Sequence, residues 1–267
     1  MPQISVCVLR TAGTNCDQET AFAFRKVGAT PRLLHINYLI DHPKSLHEYA
    51  ILAIPGGFTY GDDVAAGKIL ANELRCKLIE DILSFIREGK LIIGICNGFQ
   101  VLVKAGLLPG GSDLKQEASL IINDSGKFED RWVYLRTKYQ VPSTKKNKCV
   151  WTRDLPEMIY LPVAHGEGKF VTVAEPVLKR LRRNQQIVVQ YCDEKAKLAD
   201  YPYNPNGSQD NIAGICDETG RVFGLMPHPE RHVGFLQHPR WRQAKTKEAG
   251  EGLQIFKNGV AYAKKYI

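Results

Sequence analysis

The stretch LIIGICNGFQVL, residues 91–102, decides the fold. An apolar, β-branched run with no polar face reads as a buried parallel strand, and a helix-like segment follows it without a linker. Gly94 and Gly98 flank Cys96 at i−2 and i+2, the positions where a Cβ would crowd a tight strand-to-helix turn. Such a turn lifts one side chain out of the sheet at the head of a helix, as in the nucleophile elbow of hydrolases. Helix-start N–H groups favour negative charge, the environment that a thiolate nucleophile needs. Cys96 therefore reads as a nucleophile.

Upstream, the same alternation repeats. ISVCVL (4–9), PRLLHI (31–36) and YAILAIP (49–55) read as strands. DQETAFAFRKV (17–27), stopped by Gly28, reads as a helix, and residues 66–88 read as one long amphipathic helix stopped by Gly89. Strand and helix in alternation up to residue 106 imply a parallel sheet covered on both faces. After Leu107 the rhythm changes to short strands: 119–123, 131–137, 158–164, 169–173, 186–191, 211–217 and 221–226. One short helix, EPVLKRLRR (175–183), interrupts them, and 250–265 reads as a closing helix. The expected architecture is one domain over 1–267: a three-layer α/β/α fold with a mostly parallel central sheet, plus an antiparallel extension.

Composition excludes several classes. At 267 residues, 44% hydrophobic and 24% charged, the chain suits a globular α/β protein with a well-filled core. The N-terminus MPQISVCVLR has no secretory pattern, and no apolar run reaches bilayer length. Seven cysteines, odd in number, irregularly spaced and without a CxxC pair, fit reduced thiols in the cytoplasm. The net charge of +8 is concentrated between residues 127 and 153, where eight Lys/Arg face Glu129 and Asp130. Confined to one loop and edge-strand region, such a stretch is a solvated face or a dock for an anionic partner rather than a nucleic-acid site.

The machinery for a cysteine nucleophile is completed at GLMPHPER, 224–231. Pro227 and Pro229 stiffen the loop, and an extended i, i+2 relation puts His228 and Glu230 on one side. A thiol needs a base to move its proton, and the base needs an acceptor to set its tautomer. Cys96, His228 and Glu230 supply those roles in order. A zinc-protease reading of His228 and His232 fails because Pro229 stands where HExxH needs its glutamate, so no metal is expected. In IPGGFTYGD (54–62), Gly56 and Gly57 end a strand at the edge where parallel sheets bind ligands. The N–H groups of Gly57 and Asn97 can hold an oxyanion there.

GICNGFQ, PGGFTYGD and MPHPER together resemble the class I, triad-type glutamine amidotransferases, whose fold is flavodoxin-like. GTNCD (13–17), VAHGEGKF (163–170) and NPNGS (204–208) narrow the likeness to glutaminase components of purine synthesis that serve a separate synthetase. The resemblance implies hydrolysis of L-glutamine to glutamate and ammonia through a thioester on Cys96, with His228 shuttling the proton and Glu230 orienting it. Gln100 would hold the glutamine backbone, and Gly56, His165, Gly166 and Glu167 would line the substrate pocket. No cofactor is implied in this chain; ATP and Mg²⁺ are expected on the synthetase subunit, joined by a small third subunit. Gln100 and the His-x-Glu spacing favour glutamine over the peptide substrates of a related scaffold. A silent regulatory subunit would have lost a triad member. Three features depart from the family pattern: Arg-Thr-Ala-Gly at 10–13, no arginine after Asp62, and a basic insertion around 112–155.

Overall fold

The computed structural model describes residues 3–110, 113–137, 148–243 and 249–267. Its first half is β1 (Ser5–Arg10), α1 (Asp17–Lys26), β2 (Thr30–His35), α2 (Ile36–Asp41), β3 (Ile51–Ile54), α3 (Lys68–Glu73), α4 (Ile79–Arg87), β4 (Leu91–Ile95) and α5 (Asn97–Lys104). Then come β5 (Ala118–Ile121), β6 (Glu129–Arg136), β7 (Met158–His165), β8 (Lys169–Thr172), α6 (Glu175–Arg183), β9 (Ile187–Cys192), β10 (Ile212–Cys216), β11 (Val222–Leu225) and α7 (Leu253–Tyr266).

Nine strands form one sheet in the order β2-β1-β3-β4-β11-β10-β9-β6-β7. The first five are parallel, and the last four continue antiparallel. The chain steps from β1 to β2 one way and from β3 to β4 the other. Right-handed crossovers therefore send α1 to one face and α4 to the opposite one, giving the α/β/α layering. Phe24 of α1 meets Phe256 of α7 edge-on at 5.0 Å, so the closing helix packs beside the first. The short strands β5 and β8 pair separately as a two-stranded ribbon. Among the described residues no helix is long and apolar enough to cross a membrane.

The register sets the site. Ile54 of β3 lies opposite Gly94 of β4, and Ile95 of β4 lies opposite Leu225 of β11. The three strands thus end level, and the residues that follow each of them share one edge. Counting directions across the sheet, β7 runs the same way as β11. It also meets the loop after β11: the His228 N–H donates to the Pro162 carbonyl at 2.8 Å.

Two expectations are corrected here. Residues 66–88 are not one helix, because a π turn at Leu74–Leu78 separates α3 from α4. The buried positions Leu70, Leu74, Leu78 and Ile82 step by four. A 3.6-residue helix would carry such a row round its surface, and a wider turn returns it to the core. β6, which carries two of the eight cations of the basic stretch, is not an edge strand but lies between β9 and β7. Its cations are paired within the fold: Arg131 with Glu129 and the Tyr201 hydroxyl, Arg136 with Gln190. Residues 138–147 of that stretch lie outside the described residues.

Candidate active site

Cys96 sits between β4 and α5 with φ 51° and ψ −106°. Side chains other than glycine rarely adopt this region, and holding one there costs about 1–3 kcal/mol. The surroundings enforce it. The Cys96 N–H donates to Leu225 O at 2.8 Å, and its carbonyl accepts from Phe99 and Gln100 N–H at 3.0 and 3.1 Å. A Cβ on Gly94 would stand 2.5 Å from the Gly98 carbonyl oxygen, and a Cβ on Gly98 would overlap the Ile54 carbonyl. The spacing seen in the sequence is therefore a steric requirement of this turn. Cys96 is 5% exposed, and its thiol points to the Ala164 carbonyl at 3.6 Å.

His228 and Glu230 meet as expected, though not by an extended backbone. Residues Pro229–Arg231 form a 3-10 turn, because Pro229 at its first position has φ already set for a helical turn. The turn brings Glu230 Oε1 to 2.6 Å from His228 Nδ1, with both residues 1% exposed. That bond fixes the ring, and among the described residues the buried Nε2 has no hydrogen-bond partner. The thiols of Cys96 and Cys16 interact with the same imidazole. Burial opposes the imidazolium, but the charge of Glu230, then of Cys96, outweighs it, and the His228 pKa stands well above its ordinary value. The ring can thus hold a proton beside the sulfur and give it up to a leaving group.

Gly57 follows β3 with φ +141°, and a Cβ there would press on the Asn15 and Gly13 backbone. Among the described residues neither the Gly57 nor the Asn97 N–H makes a hydrogen bond. A cavity of about 200 Å³ opens beside Cys96. Gly57, Gln100, His165, Gly166 and Glu167 line it, as do Phe58, Asp62, Phe128 and Ala164. Gly56 lies behind this wall: a Cβ on it would come within 2.8 Å of His228 Cε1 and 3.4 Å of Cys96 Cβ.

A family model for the CobB/CobQ-like glutamine amidotransferase domain matches residues 3–263. The chain belongs to this family. The amidotransferase is 49% identical over 265 residues to the PurQ subunit of phosphoribosylformylglycinamidine synthase from Dehalococcoides mccartyi, covering 99% of each chain. It is 42% identical to the same subunit from Methanococcus maripaludis over 274 aligned residues, 97% of each chain. Among solved structures, a chain of PurLQS from Thermotoga maritima superposes with a TM-score of 0.73 at 31% identity, over 98% of this chain and 99% of that one.

The cavity wall of the amidotransferase holds residues that the sequence alone did not single out. Asp62 has positive φ, and its Oδ1 accepts from Asn97 Nδ2 at 3.0 Å and Gly67 N–H at 3.2 Å. Burial, reinforced by the nearby Glu167, raises its pKa against the Gly67 and Asn97 hydrogen bonds and the charge of Lys104. Glu167 is better served, with Ala66 N–H at 3.3 Å and Lys104 Nζ at 3.7 Å. Asn97 also binds Thr59 and the Gln100 amide oxygen, and Gln100 Nε2 donates to Glu167 O at 2.6 Å. Gln100 thereby ties α5 to the opposite wall. Among the described residues the buried His165 has no ion-pair partner, and burial pushes its pKa down to about 3, so it stays neutral.

The motif NPNGS supports that wall from behind. Asn206 Nδ2 lies 3.2 Å from the Tyr191 hydroxyl and 3.5 Å from His165 Nε2. Ser208 Oγ accepts from Phe170 N–H at 2.9 Å. His232, the other half of the rejected zinc pair, has Nδ1 bonded to Tyr160 O at 2.9 Å.

Proposed function

We propose that the chain is the glutaminase subunit of phosphoribosylformylglycinamidine synthase. It hydrolyses L-glutamine and hands ammonia to an ATP-dependent synthetase subunit making formylglycinamidine ribonucleotide. The observation that carries this reading is Cys96, held at a strained turn on a small cavity, beside an imidazole whose other nitrogen is bound by a buried carboxylate.

In this mechanism the Cys96 sulfur attacks the glutamine δ-carbon. The Gly57 and Asn97 N–H groups receive the oxyanion. His228 gives its proton to the departing nitrogen, ammonia leaves, and a glutamyl thioester remains. His228, now neutral and still oriented by Glu230, takes a proton from water as the water attacks the thioester. Collapse releases glutamate and returns the proton to the Cys96–His228 pair. At the far end of the cavity Asp62, supported by Glu167, receives the α-ammonium group. Gln100, His165 and Gly166 shape the space around the substrate backbone. The cavity suits one amino acid better than a peptide.

Released ammonia is mostly protonated in neutral water and no longer nucleophilic, which is why delivery to a partner belongs to the function. ATP and Mg²⁺ act on that synthetase, a small third subunit joins it, and the complex works in the cytoplasm. The whole chain serves as one amidotransferase domain. The test is Cys96→Ser assayed with the synthetase present. Glutamine-driven synthesis is expected to vanish while synthesis from ammonium salts continues at the parental rate. Glutamate release by the variant at the parental rate overturns the assignment.

A further inference from the structure

We infer that Glu19 is a positioning residue for the glutaminase reaction: by holding the Arg231 guanidinium at the head of α1, it reserves the buried carboxylate of Glu230 for His228. The inference rests on the function proposed above and adds to it a residue outside the cavity lining.

Glu19 lies in the first turn of α1, where the helix dipole favours an acidic side chain. Its Oε1 accepts from Arg231 Nε at 3.0 Å, joining residues 212 apart in the chain. Arg231 Nη2 donates to Cys16 Sγ at 3.1 Å, and the Cys16 thiol donates to Asn15 Oδ1 at 3.2 Å. Cys16 is fixed in turn: its N–H donates to Gly56 O at 3.3 Å, and its carbonyl accepts from Thr20 N–H at 3.0 Å. The guanidinium is thus held on the residues that open α1, although its backbone belongs to the turn that carries the acid–base pair. The side chains of Arg231 and Glu19 are 34% and 37% exposed, and an ion pair so open to water adds little to stability. Its worth lies in where it puts the charge.

Glu230 is the partner this guanidinium would otherwise take. It precedes Arg231 in the chain, and its Oε2 is buried with no hydrogen-bond partner among the described residues. Cys16 Sγ, the atom that Arg231 touches, lies within 4.8 Å of donor atoms on both Glu230 and His228. One sulfur therefore separates the guanidinium from the carboxylate. A guanidinium grips a carboxylate through two parallel N–H bonds, a stronger pairing than a single imidazole N–H. Burial opposes the Arg231 charge, whereas Cys16, Glu19 and Glu230 favour it, so its pKa is raised and it stays cationic. Released from Glu19, it would take Glu230, strip His228 Nδ1 of its acceptor and set a positive charge beside the imidazolium. The other groups around the turn are accounted for. The imidazole is faced by Glu230, by the Cys96 and Cys16 thiols and, from β7, by the neutral His165. On α1, Asp17 is turned to Arg10 at 3.3 Å. Gly252, just before α7, meets Pro229 without a side chain. Among these, Glu19 is the carboxylate left to compete for Arg231.

Glu19→Gln keeps the side chain's size and lets the guanidinium go. It is expected to lower kcat for glutamate release about tenfold, to leave KM within about twofold, and to move the alkaline limb of kcat/KM about one pH unit lower. Imidazole NMR on the intact chain supplies a readout that needs no turnover, with the His228 signal assigned by its loss in His228→Asn. His228 should titrate at lower pH in Glu19→Gln, by the same amount as the limb moves. Glu19→Gln combined with Arg231→Gln removes the freed charge as well, and both the rate and the titration return towards the parental values. A tether that merely fixes the turn predicts the opposite, a double variant no better than Glu19→Gln. That result, or a parental His228 titration in folded Glu19→Gln, overturns the inference. If the parent releases no glutamate while the His228 titration still moves and recovers, the glutaminase reading alone fails. Glutamate release with an unmoved titration defeats the role of Glu19 alone.

Discussion

Replacing Glu230 by glutamine keeps the side chain's size and removes its charge, which isolates the electrostatic part of the His228 pairing. The bond to be weakened is 2.6 Å long and shielded from water. A hydrogen bond to a charged group nets about 1.5–3 kcal/mol. If that is lost only in the charged transition state, the rate of glutamate release falls by about 10- to 150-fold. The pH profile gives the sharper test. Burial lowers the His228 pKa, while Glu230 first and Cys96 second raise it to a net value well above 6.5. Without the Glu230 charge, burial gains ground and the imidazolium gives up its proton at lower pH. The alkaline limb of kcat/KM therefore moves to lower pH in Glu230→Gln. Stability follows the same sign. A folded-state pKa above the unfolded value contributes stability that is complete below about 6.5 and lost as pH rises through the raised value. The difference in Tm between parent and variant should accordingly be largest in mildly acidic solution and shrink as pH rises. A variant that keeps the parental alkaline limb, measured by initial rates of glutamate release, refutes this account of His228.

Asp62→Asn tests recognition of the α-ammonium group. Loss of a charge-assisted contact should lower kcat/KM for glutamine by about 10- to 150-fold. It should also erase most of the discrimination against 4-carbamoylbutanoate, the analogue lacking that group; unchanged discrimination would show that Asp62 does not meet it. Gly98→Ala places a methyl group against the Ile54 carbonyl. Overpacking of this kind costs about 3 kcal/mol or more, and at roughly 2–4 °C per kcal/mol for a chain of this size calorimetry should record the drop in Tm. A Tm within a degree of the parent would mean that the elbow tolerates a Cβ.

The sheet was legible because most of its strands are apolar runs, such as ISVCVL, YAILAIP and LIIGI, and most boundaries fall within a residue or two of those expected. The elbow was legible for a steric reason: two glycines around a cysteine mark a turn that other residues block. Other features depend on packing and leave a fainter trace. The six residues of α2 bury only Ile36 and Leu39, too few for a recognisable period. Lys104 reads as a cation in the last turn of α5, yet its ammonium reaches the Ala66 carbonyl at 2.6 Å and is buried. Asp62 and Phe128 join the cavity from segments far apart in the chain, and only the return of β7 towards the loop after β11 brings such walls together. The two cations of β6 looked free because pairings such as Arg131–Glu129 cannot be seen in a count of charges.

Because β4 and β11 are neighbours in register, the sulfur-bearing turn and the imidazole-bearing loop hang from adjacent rungs of one backbone ladder. The Cys96 N–H even donates into the end of β11. Their separation is therefore inherited from peptide geometry, which changes little when side chains mutate or loops breathe. Surface segments of this chain can be rebuilt for a different docking partner without retuning the distance on which bond cleavage depends.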